Sequence, residues 1–581
     1  MKGLHNYSCI FSTSIIPILC PNIVSLFSTM QTNKLHSTIK KQSLPERKIC
    51  TYKPNIWKYD HLLTLTSEYS EEKYKVEAEK LKEEVSYTFS NSTISPLDLL
   101  ELIDSIDKLG LSCYFEVETK EALEKIIMSV KTSSSSKEEN LYATALCFRL
   151  LREHGHHASQ DMLKDFFDGK GKLKVSDVKT LLEVLEGSYL SMEGENLLDD
   201  TRMFTTKNLK SLVSKSDYTF TNKDYTLSFP LAWRVKWYDV RKHICAQELE
   251  RNNTNPMLLK LAKLNFNIVQ ATHQKDLKHV LRWWRNLSIV EDLSFTRDRI
   301  VESFFCAVGV APEPRHGNMR KWLTKVIELV LIIDDVYDIY GSLAQVQQFT
   351  RAIEKWDPNE VEGLPECMQI CFRSLHDTVE EISVEIQQQK GGLSALPYLK
   401  QVWLNFCKAL LLEATWYHKG HIPTLEEYLD NGWISSSGPL LSLHVIFGLT
   451  NKITKKILDL YEDCHEIIYH TSVVIRLCND QGTSAAELER GDVASSILCY
   501  MQQENVSEDV AREHIKSIIL DSWKKINYHF NTVSTSHRKL VKHVVNEARM
   551  AHVMYQFGDG FGVQDGETRD QVLFNLVHPI T

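Results

Sequence analysis

From Glu68 onward, apolar residues recur at steps of three and four almost without interruption. This is the period of an amphipathic helix, and it predicts helices over segments such as Glu71–Val85, Pro96–Leu109 and Thr119–Val130. We find neither the sustained alternation of apolar and polar residues that would indicate strands nor a repeat of fixed period. The sequence therefore predicts an all-α fold, and 581 residues are enough for several domains.

A break in the helical pattern between Asn252 and Pro256 divides the chain into two parts. The residues of this break favour turns, and the strongly patterned helix that follows is predicted to begin at Met257. We therefore expect an N-terminal domain over residues 46–252 and a C-terminal domain over residues 253–581.

Residues 1–45 contain no Asp or Glu and are rich in Ser and Thr. This composition is typical of an organelle transit peptide, so we expect a transit peptide or a disordered leader. Pro17 and Pro21 interrupt its apolar run, which argues against a membrane-spanning helix. A working transit peptide would send the protein to plastids, whereas translation from Met30 would leave it in the cytoplasm.

The overall composition narrows the choice of partners and compartment. A net charge of −9 argues against nucleic acid or an anionic membrane as the main partner. An anionic ligand would therefore have to be bound by a few well-placed arginines and by metal ions. The 13 cysteines are scattered and odd in number, and we expect reduced thiols in an intracellular compartment.

The stretch Val330–Tyr340 joins an apolar run to three carboxylates, Asp334, Asp335 and Asp338. Asp334 and Asp338 are four residues apart, so on a helix they share one face and repel each other. A cation would relieve this repulsion, and oxygen ligands favour Mg2+ or Mn2+. Taken alone, the stretch is equally compatible with an acidic helix end in solvent.

A second set of oxygen donors follows another apolar run near the C-terminus. Asn479, Thr483 and Glu487 are spaced four residues apart and lie along one helix face, with Arg476 one turn earlier. A polar helix face usually points to water. Here, however, it follows the apolar Val473–Ile475 in the way that the aspartates follow their own apolar run, which suggests two opposite walls of one cavity.

Upstream of the aspartates, Arg297 and Arg299 are two residues apart. On a regular helix they would point apart, but at a helix end both planar forks could reach one polyanionic group. Two exposed arginines are more often simply solvated.

In this order and spacing, the three motifs resemble those of plant class I terpene synthases. Arg47 and Lys48, followed by Trp57, are similar to the paired arginines that precede a tryptophan in this family, with a lysine in the second place. Segments such as Tyr52–Trp57 and Gly482–Asp492 resemble the angiosperm monoterpene-synthase-type subfamily, and within it the α-farnesene and β-ocimene synthases. The resemblance extends from residue 47 to the C-terminus. It implies an N-terminal relic α-barrel and a C-terminal class I terpenoid synthase bundle around an apolar pocket.

The resemblance also implies roles for individual residues and a monomeric enzyme that binds three Mg2+ or Mn2+ ions with its prenyl diphosphate substrate. The metal ligands would be Asp334, Asp338, Asn479, Thr483 and Glu487, supported by Asp335. The diphosphate would be bound by Arg297, Arg299 and Arg476, with Asn479, Asp334 and Asp338. The lid over the active site would include Arg47, Lys48 and Trp57.

The expected reaction is metal-assisted ionisation of a prenyl diphosphate, because bound cations and arginines stabilise the charge that grows on the leaving group. Many cyclising relatives carry a tryptophan where this chain has Cys306, so we expect an acyclic product, with Tyr555 taking part in deprotonation. Isoprene synthases shrink the pocket with phenylalanines at the positions of Ile327 and Ile475, so a C10 or C15 chain is favoured here. The helix should break at Ser435–Pro439.

The leading hypothesis is the conversion of farnesyl diphosphate to (E,E)-α-farnesene. The alternative is (E)-β-ocimene, or another acyclic monoterpene such as myrcene or linalool, from geranyl diphosphate. A chain-elongating prenyltransferase would carry a second Asp-Asp-x-x-Asp motif, and a class II cyclase would carry an Asp where Leu197 precedes Asp199. A non-catalytic helical scaffold is the alternative of another class.

Overall fold

The structure is a computed structural model. It describes residues 53–89, 94–132, 140–167, 177–213, 229–249, 255–287, 289, 296–490, 495–564 and 566–581, and for residues 129–132, 213 and 485–490 it describes the backbone alone.

The described residues confirm the all-α prediction. Within them, β pairing is limited to an isolated bridge between Gly392 and Ile453. The helices that precede residue 252 are α1 (Tyr59–Thr64), α2 (Glu72–Phe89), α3 (Pro96–Lys108), α4 (Glu116–Thr132), α5 (Leu141–Glu153), α6 (Val178–Ser188), α7 (Asn196–Val213) and α8 (Lys236–Leu249).

The helices of the C-terminal part are α9 (Pro256–Asn286), α10 (Ile300–Val310), α11 (Gly317–Asp335), α12 (Leu343–Lys355), α13 (Glu366–Lys390), α14 (Leu396–Lys419), α15 (Leu425–Ser435), α16 (Gly438–Leu449), α17 (Lys455–Asp463), α18 (His465–Arg490), α19 (Ser496–Glu504), α20 (Glu508–Thr532), α21 (Thr535–Tyr555) and α22 (Glu567–Val572).

Local sequence signals explain where several of these helices begin and end. The Asn255 side chain accepts hydrogen bonds from the backbone N–H groups of Met257 and Leu258, and Pro256 occupies the first turn of α9. α12 and α15 each begin with a reciprocal capping box. α13 ends where Gly391 adopts a φ of 62°, a value that is strained for residues with a Cβ.

The helices that carry the two predicted walls lie in the middle of the C-terminal part. α11 packs against α9, α10 and α16, and α18 packs against α15, α16, α20 and α21. α16 therefore contacts both walls. The apolar run that leads to Asp334 is buried, since Leu329, Ile332 and Ile333 are fully enclosed. This burial fixes the end of α11, and with it the position of the carboxylates that follow.

An amino-terminal clasp (Asn55, Trp57, Tyr59, Asp298, Glu302 and Gln564) joins the start of the described chain to α10 and to the C-terminal segment. Trp57 Nε1 donates to Glu302 Oε1 at 2.6 Å, and Gln564 Nε2 donates to the same oxygen at 3.1 Å. Asp298 accepts from Asn55 at 3.0 Å and from the Tyr59 hydroxyl. The clasp therefore holds three distant parts of the chain together.

Two other findings bear on the sequence predictions. The ten cysteines that the structure describes are all free thiols, as expected for reduced cysteines. Among the described helices, none combines the length and the apolar character that crossing a membrane requires.

Beneath the clasp lies a buried acid, Glu328, on α11. Burial raises its pKa to about 8, and the charge of Asp298 adds to the rise. Its oxygens accept hydrogen bonds from the Arg299 backbone N–H at 2.9 Å and from the Ser303 hydroxyl at 2.7 Å. Glu328 therefore binds its proton more tightly in the folded chain than in the unfolded chain.

We expect this raised pKa to make the stability of the protein depend on pH. The contribution of Glu328 to the free energy of unfolding is complete below its ordinary pKa of 4.5 and is lost as the pH rises through about 8. The free energy of unfolding of the wild type should therefore fall, relative to that of Glu328→Gln, by up to ~1.4 kcal/mol per pH unit between about pH 5 and 8. Urea unfolding of both proteins across this range measures the difference.

Glu302, whose pKa burial raises to about 7, is present in both proteins, and its charge also raises the pKa of Glu328, so the comparison measures Glu328 together with this coupling. Glu362→Gln, at an exposed position, is the matched control and should follow the wild type. A difference between wild type and Glu328→Gln that does not change with pH would contradict the interpretation.

Candidate active site

The first wall is built around an arginine that contacts two carboxylates at the end of α11. Arg297 Nη2 lies 2.8 Å from Asp334 Oδ2 and 2.9 Å from Asp335 Oδ1. Asp335 also accepts hydrogen bonds from the backbone N–H of Arg297 at 3.1 Å and from its Nε at 3.2 Å. The Asp335 side chain is 1% exposed, whereas that of Asp334 is 33% exposed. Asp335 thus fixes Arg297, and the Asp334 side chain remains partly exposed.

The electrostatics agree with these two roles. Burial raises the pKa of Asp335 to about 6, against the lowering effect of the Arg297 guanidinium. An isolated carboxylate at this depth would be costly, so the arginine is required to keep it charged near neutral pH. The supporting role that the resemblance implies for Asp335 fits this geometry.

Asp338 lies on a wide helical turn that follows α11 directly. Val336–Tyr340 form a π-helix, and the N–H of Gly341 donates to the carbonyl of Val336 at 2.8 Å, which closes the turn. A Cβ at Gly341 would lie 2.9 Å from this carbonyl oxygen and 2.6 Å from the Val346 side chain, so only glycine fits without a shift. Single π turns are frequent at functional sites, and sequence periodicity alone gave no sign of this one.

The second wall is α18. The hydroxyl of Thr483 donates to the backbone carbonyl oxygen of Asn479 at 2.9 Å, which leaves the lone pairs of the hydroxyl oxygen available to a cation. A Cβ at Gly482 would lie 3.1 Å from the carbonyl oxygens of Tyr555 and Gly558, so glycine allows α21 to approach closely. Glu487 lies on the same helix, but its side chain is outside the described residues.

Arg476, one turn before Asn479, is held by polar groups from α14, α15 and its own helix. Its Nη2 donates to the Ser435 hydroxyl at 2.8 Å and lies 3.8 Å from Glu413, while its Nη1 lies 4.0 Å from Asp480. Burial raises the pKa of the Glu413 and Asp480 carboxyl groups, and the positive charge of Arg476 opposes the rise. The guanidinium is therefore fixed in place before any ligand arrives.

The break predicted at Ser435–Pro439 is confirmed. α15 ends at Ser435 and α16 begins at Gly438, and Ser437 between them adopts a φ of 65°. A Cβ at Gly438 would lie 2.1 Å from the Ser472 hydroxyl, so the break packs directly against α18. This packing brings Ser435 into contact with Arg476.

Tyr555, at the end of α21, links the two walls. Burial raises the pKa of its hydroxyl, whereas the Arg297 guanidinium and a hydrogen bond with Asn479 oppose the rise. Cys306 is close enough that a thiolate there would act on the same hydroxyl, although burial raises the pKa of the thiol and keeps it neutral. On the other side, the charge of Asp334 adds to the burial effect that raises the pKa of Glu413. The predicted residues of both walls therefore lie within electrostatic reach of one another.

Some predicted site residues lie in the clasp rather than on the two walls, and others lie outside the described residues. The Arg299 side chain donates to the backbone carbonyls of Asp298, Lys53 and Phe561, so it supports the clasp; its binding of a diphosphate stays a prediction. Trp57 belongs to the clasp. Arg47 and Lys48 lie outside the described residues.

Sequence reasoning missed Glu413, Asp480 and Ser435 as partners of Arg476. Glu413 interrupts the apolar run of α14. A charged residue in such a run indicates a buried polar partner, and this was the available signal. Asp480 directly follows Asn479 and was assigned no role.

Comparison with known proteins agrees with the site. Residues 56–227 match the family described as "Terpene synthase, N-terminal domain", and residues 285–525 match "Terpene synthase family, metal binding domain". The expected domain boundary at residue 252 lies between these two matches.

Among curated proteins, the chain is 48% identical over 546 residues to the α-farnesene synthase of Ricinus communis, covering 92% of this chain and 96% of that protein. It is 46% identical over 544 residues to the (E,E)-α-farnesene synthase of Malus domestica, covering 92% and 94%. It is 41% identical over 541 residues to a chloroplastic myrcene synthase of Quercus ilex, covering 92% and 90%.

Solved structures give the same result. A limonene synthase with 2-fluorolinalyl diphosphate superposes with a TM-score of 0.87 at 37% identity, covering 92% of this chain and all of that chain. Isoprene synthase from grey poplar leaves, in complex with three Mg2+ ions and dimethylallyl-S-thiolodiphosphate, has a TM-score of 0.82 at 37% identity, covering 91% and 99%. The chain belongs to the terpene synthase family.

Proposed function

We propose that this terpene synthase ionises farnesyl diphosphate and deprotonates the resulting cation to an acyclic sesquiterpene, (E,E)-α-farnesene. The observation that carries the proposal is the pair of fixed arginines, Arg297 and Arg476, on two walls bridged by Tyr555. The two farnesene synthases among the relatives support the C15 substrate and the acyclic product.

The oxygen donors on the two walls fit a divalent metal site. Asp334 and Asp338 offer carboxylates, and Asn479 and Thr483 offer an amide and a hydroxyl oxygen, which are ligand types that Mg2+ prefers and Mn2+ accepts. We propose that these residues, with Glu487, hold three ions when substrate is bound. Bound ions would supply positive charge that stabilises the departing diphosphate.

The arginines would bind the diphosphate directly. Planar guanidinium groups match phosphate oxygens, and preorganised donors are most effective because they need no rearrangement as charge develops. Asp335 orients Arg297, and Ser435, Glu413 and Asp480 orient Arg476.

The chain must also protect the cation from water and accept its proton. The clasp closes the described N-terminal segment onto α10 and would form the base of the lid. Burial keeps the Tyr555 hydroxyl protonated, so Tyr555 could take a proton from the cation only as it gives its own hydroxyl proton to a second group. Asp559, whose charge acts on Tyr555, is a candidate acceptor.

The second candidate is an acyclic monoterpene from geranyl diphosphate, either (E)-β-ocimene, myrcene or linalool. The myrcene synthase of Quercus ilex supports it, and the chloroplastic location of that enzyme would agree with a transit peptide at residues 1–45 of this chain. We propose a plastid location if residues 1–45 act as a transit peptide and a cytoplasmic one if translation starts at Met30. We also propose that the enzyme is a monomer.

Incubation of the purified enzyme with each diphosphate tests the choice of substrate. With Mg2+ present, we expect farnesyl diphosphate to give mainly (E,E)-α-farnesene, identified by gas chromatography and mass spectrometry. The specificity constant should be higher for farnesyl than for geranyl diphosphate. A higher value for geranyl diphosphate, with ocimene or myrcene as product, would favour the second candidate, and mainly ring-containing products would refute both.

Asp334→Asn tests the first wall. The substitution keeps the size of the side chain but removes its charge, so kcat should fall by at least about 100-fold. Release of diphosphate measures kcat, and urea unfolding checks that the fold is kept. Asp463→Asn, at an exposed position of α17, is the matched control and should keep full activity. Turnover by Asp334→Asn at the wild-type rate would overturn the metal assignment.

Cys306→Trp tests the link between this position and the acyclic product. The Cys306 side chain is buried near Tyr555, so an indole here would add an aromatic surface beside the reacting cation. We expect the fraction of ring-containing products to rise severalfold. Cys306→Ala, which adds no aromatic surface, should keep the wild-type product pattern. An active Cys306→Trp enzyme with unchanged products would count against the hypothesis.

A further inference from the structure

A cluster of two histidines and a glutamate lies at the opposite end of α11 from the aspartates. Glu313 and His316 belong to the loop between α10 and α11, and His543 lies on α21. Each residue offers one ligand atom, and the three atoms lie within 4.8 Å of one another. α11 has 19 residues and is therefore about 28 Å long, so the cluster is separate from the catalytic site.

The hydrogen bonds of His543 indicate a positive species between it and Glu313. His543 Nδ1 lies 2.9 Å from the Lys539 carbonyl oxygen, which can only accept, so Nδ1 carries the hydrogen. His543 Nε2 lies 3.2 Å from Glu313 Oε2. A neutral ring would therefore direct a lone pair at a carboxylate oxygen. Either a proton or a metal ion must separate them, and a ring that donates its other N–H to a backbone carbonyl is the usual arrangement of a metal-bound histidine.

His316 contributes a second imidazole, whose ring centroid lies 5.3 Å from that of His543. His316 Nε2 accepts a hydrogen bond from Arg315 Nε at 3.2 Å, which identifies this nitrogen as the one with the free lone pair. Arg315 is exposed, so an incoming ion could displace it at little cost.

The loop that carries Glu313 and His316 is held rigidly. Arg320, which is fully buried, donates to the carbonyls of Ala311 at 2.7 Å and Glu313 at 2.6 Å. His273 Nε2 lies 2.7 Å from the carbonyl oxygen of Pro312. Backbone groups fixed in this way restrict the movement of the side chains that they carry.

We propose that Glu313, His316 and His543 form a structural site for Zn2+ that joins the α10–α11 loop to α21. Two imidazoles and one carboxylate are a ligand set that zinc accepts, with water in the fourth position. Mg2+ prefers oxygen ligands, so it should favour the catalytic site instead. The positive charges of Arg315, Arg320 and Lys542 oppose a cation and limit its affinity. The site does not depend on the proposed substrate or product.

Titration of the full-length, tag-free protein with ZnCl2, followed by calorimetry, tests the proposal. We expect one equivalent of Zn2+ to bind and to raise the unfolding temperature, since a ligand that binds only the folded state stabilises it. Co2+ in place of Zn2+ should give the visible absorption of a tetrahedral ion bound to nitrogen ligands.

Variants assign the binding to this cluster. His316→Ala and Glu313→Gln should each weaken Zn2+ binding by at least about tenfold and abolish the Co2+ absorption. His421→Ala, at an exposed histidine, is the matched control and should bind as the wild type does. Asp334→Asn should also bind normally, because its defect lies at the catalytic site. Binding that is unchanged in His316→Ala, lost in Asp334→Asn, or undetectable in the wild type would overturn the proposal.

Discussion

The contact between Arg297 and the paired carboxylates Asp334 and Asp335 is the interaction on which the site depends. Asp335 is almost fully enclosed, and a carboxylate there is tolerable only because the guanidinium and a backbone N–H of Arg297 both meet it. The same contact fixes the arginine. Asp334, one residue earlier, contacts the same guanidinium, but a third of its side-chain surface is exposed. One ion pair therefore holds a guanidinium in place and leaves a partly exposed carboxylate beside it, as the proposed diphosphate and metal sites require.

The second wall repeats this solution with other residues. Arg476 lies between Glu413 and Asp480, which are both buried. It also donates a hydrogen bond to the Ser435 hydroxyl at the helix break. The two arginines are set against four carboxyl groups, Asp334, Asp335, Glu413 and Asp480, and Asp338 adds another to the first wall. Such a site has no surplus of positive charge to offer a diphosphate, whose own charge is negative. Divalent ions are therefore needed to reverse the balance, which explains why acidic residues line a site for an anionic substrate.

The sequence predicted the described helices, the start of α9 to within one residue and the break at Ser435–Pro439, because each depends on local spacing or on a short motif. Residues 252–254 of the predicted break before α9 lie outside the described residues. It did not predict the partners of Arg476. Glu413 and Ser435 are 63 and 41 residues away in the chain, and their meeting depends on how α14 and α15 pack on α18. The environment of Arg299 escaped prediction for the same reason, since its contacts with Lys53 and Phe561 span most of the chain.

These long-range contacts connect the lid to the diphosphate site through one short stretch of chain. Arg297 contacts the aspartates, Asp298 and Glu302 accept the bonds of the clasp, and Arg299 holds the carbonyl of Lys53. Any movement that opens the clasp must therefore pull on residues directly beside Arg297. Asp335 already holds Arg297 in place, so a diphosphate bound by Arg297 would act on a stretch of chain that the clasp also holds. If Trp57 belongs to the proposed lid, closure of that lid would therefore bear directly on the position of Arg297.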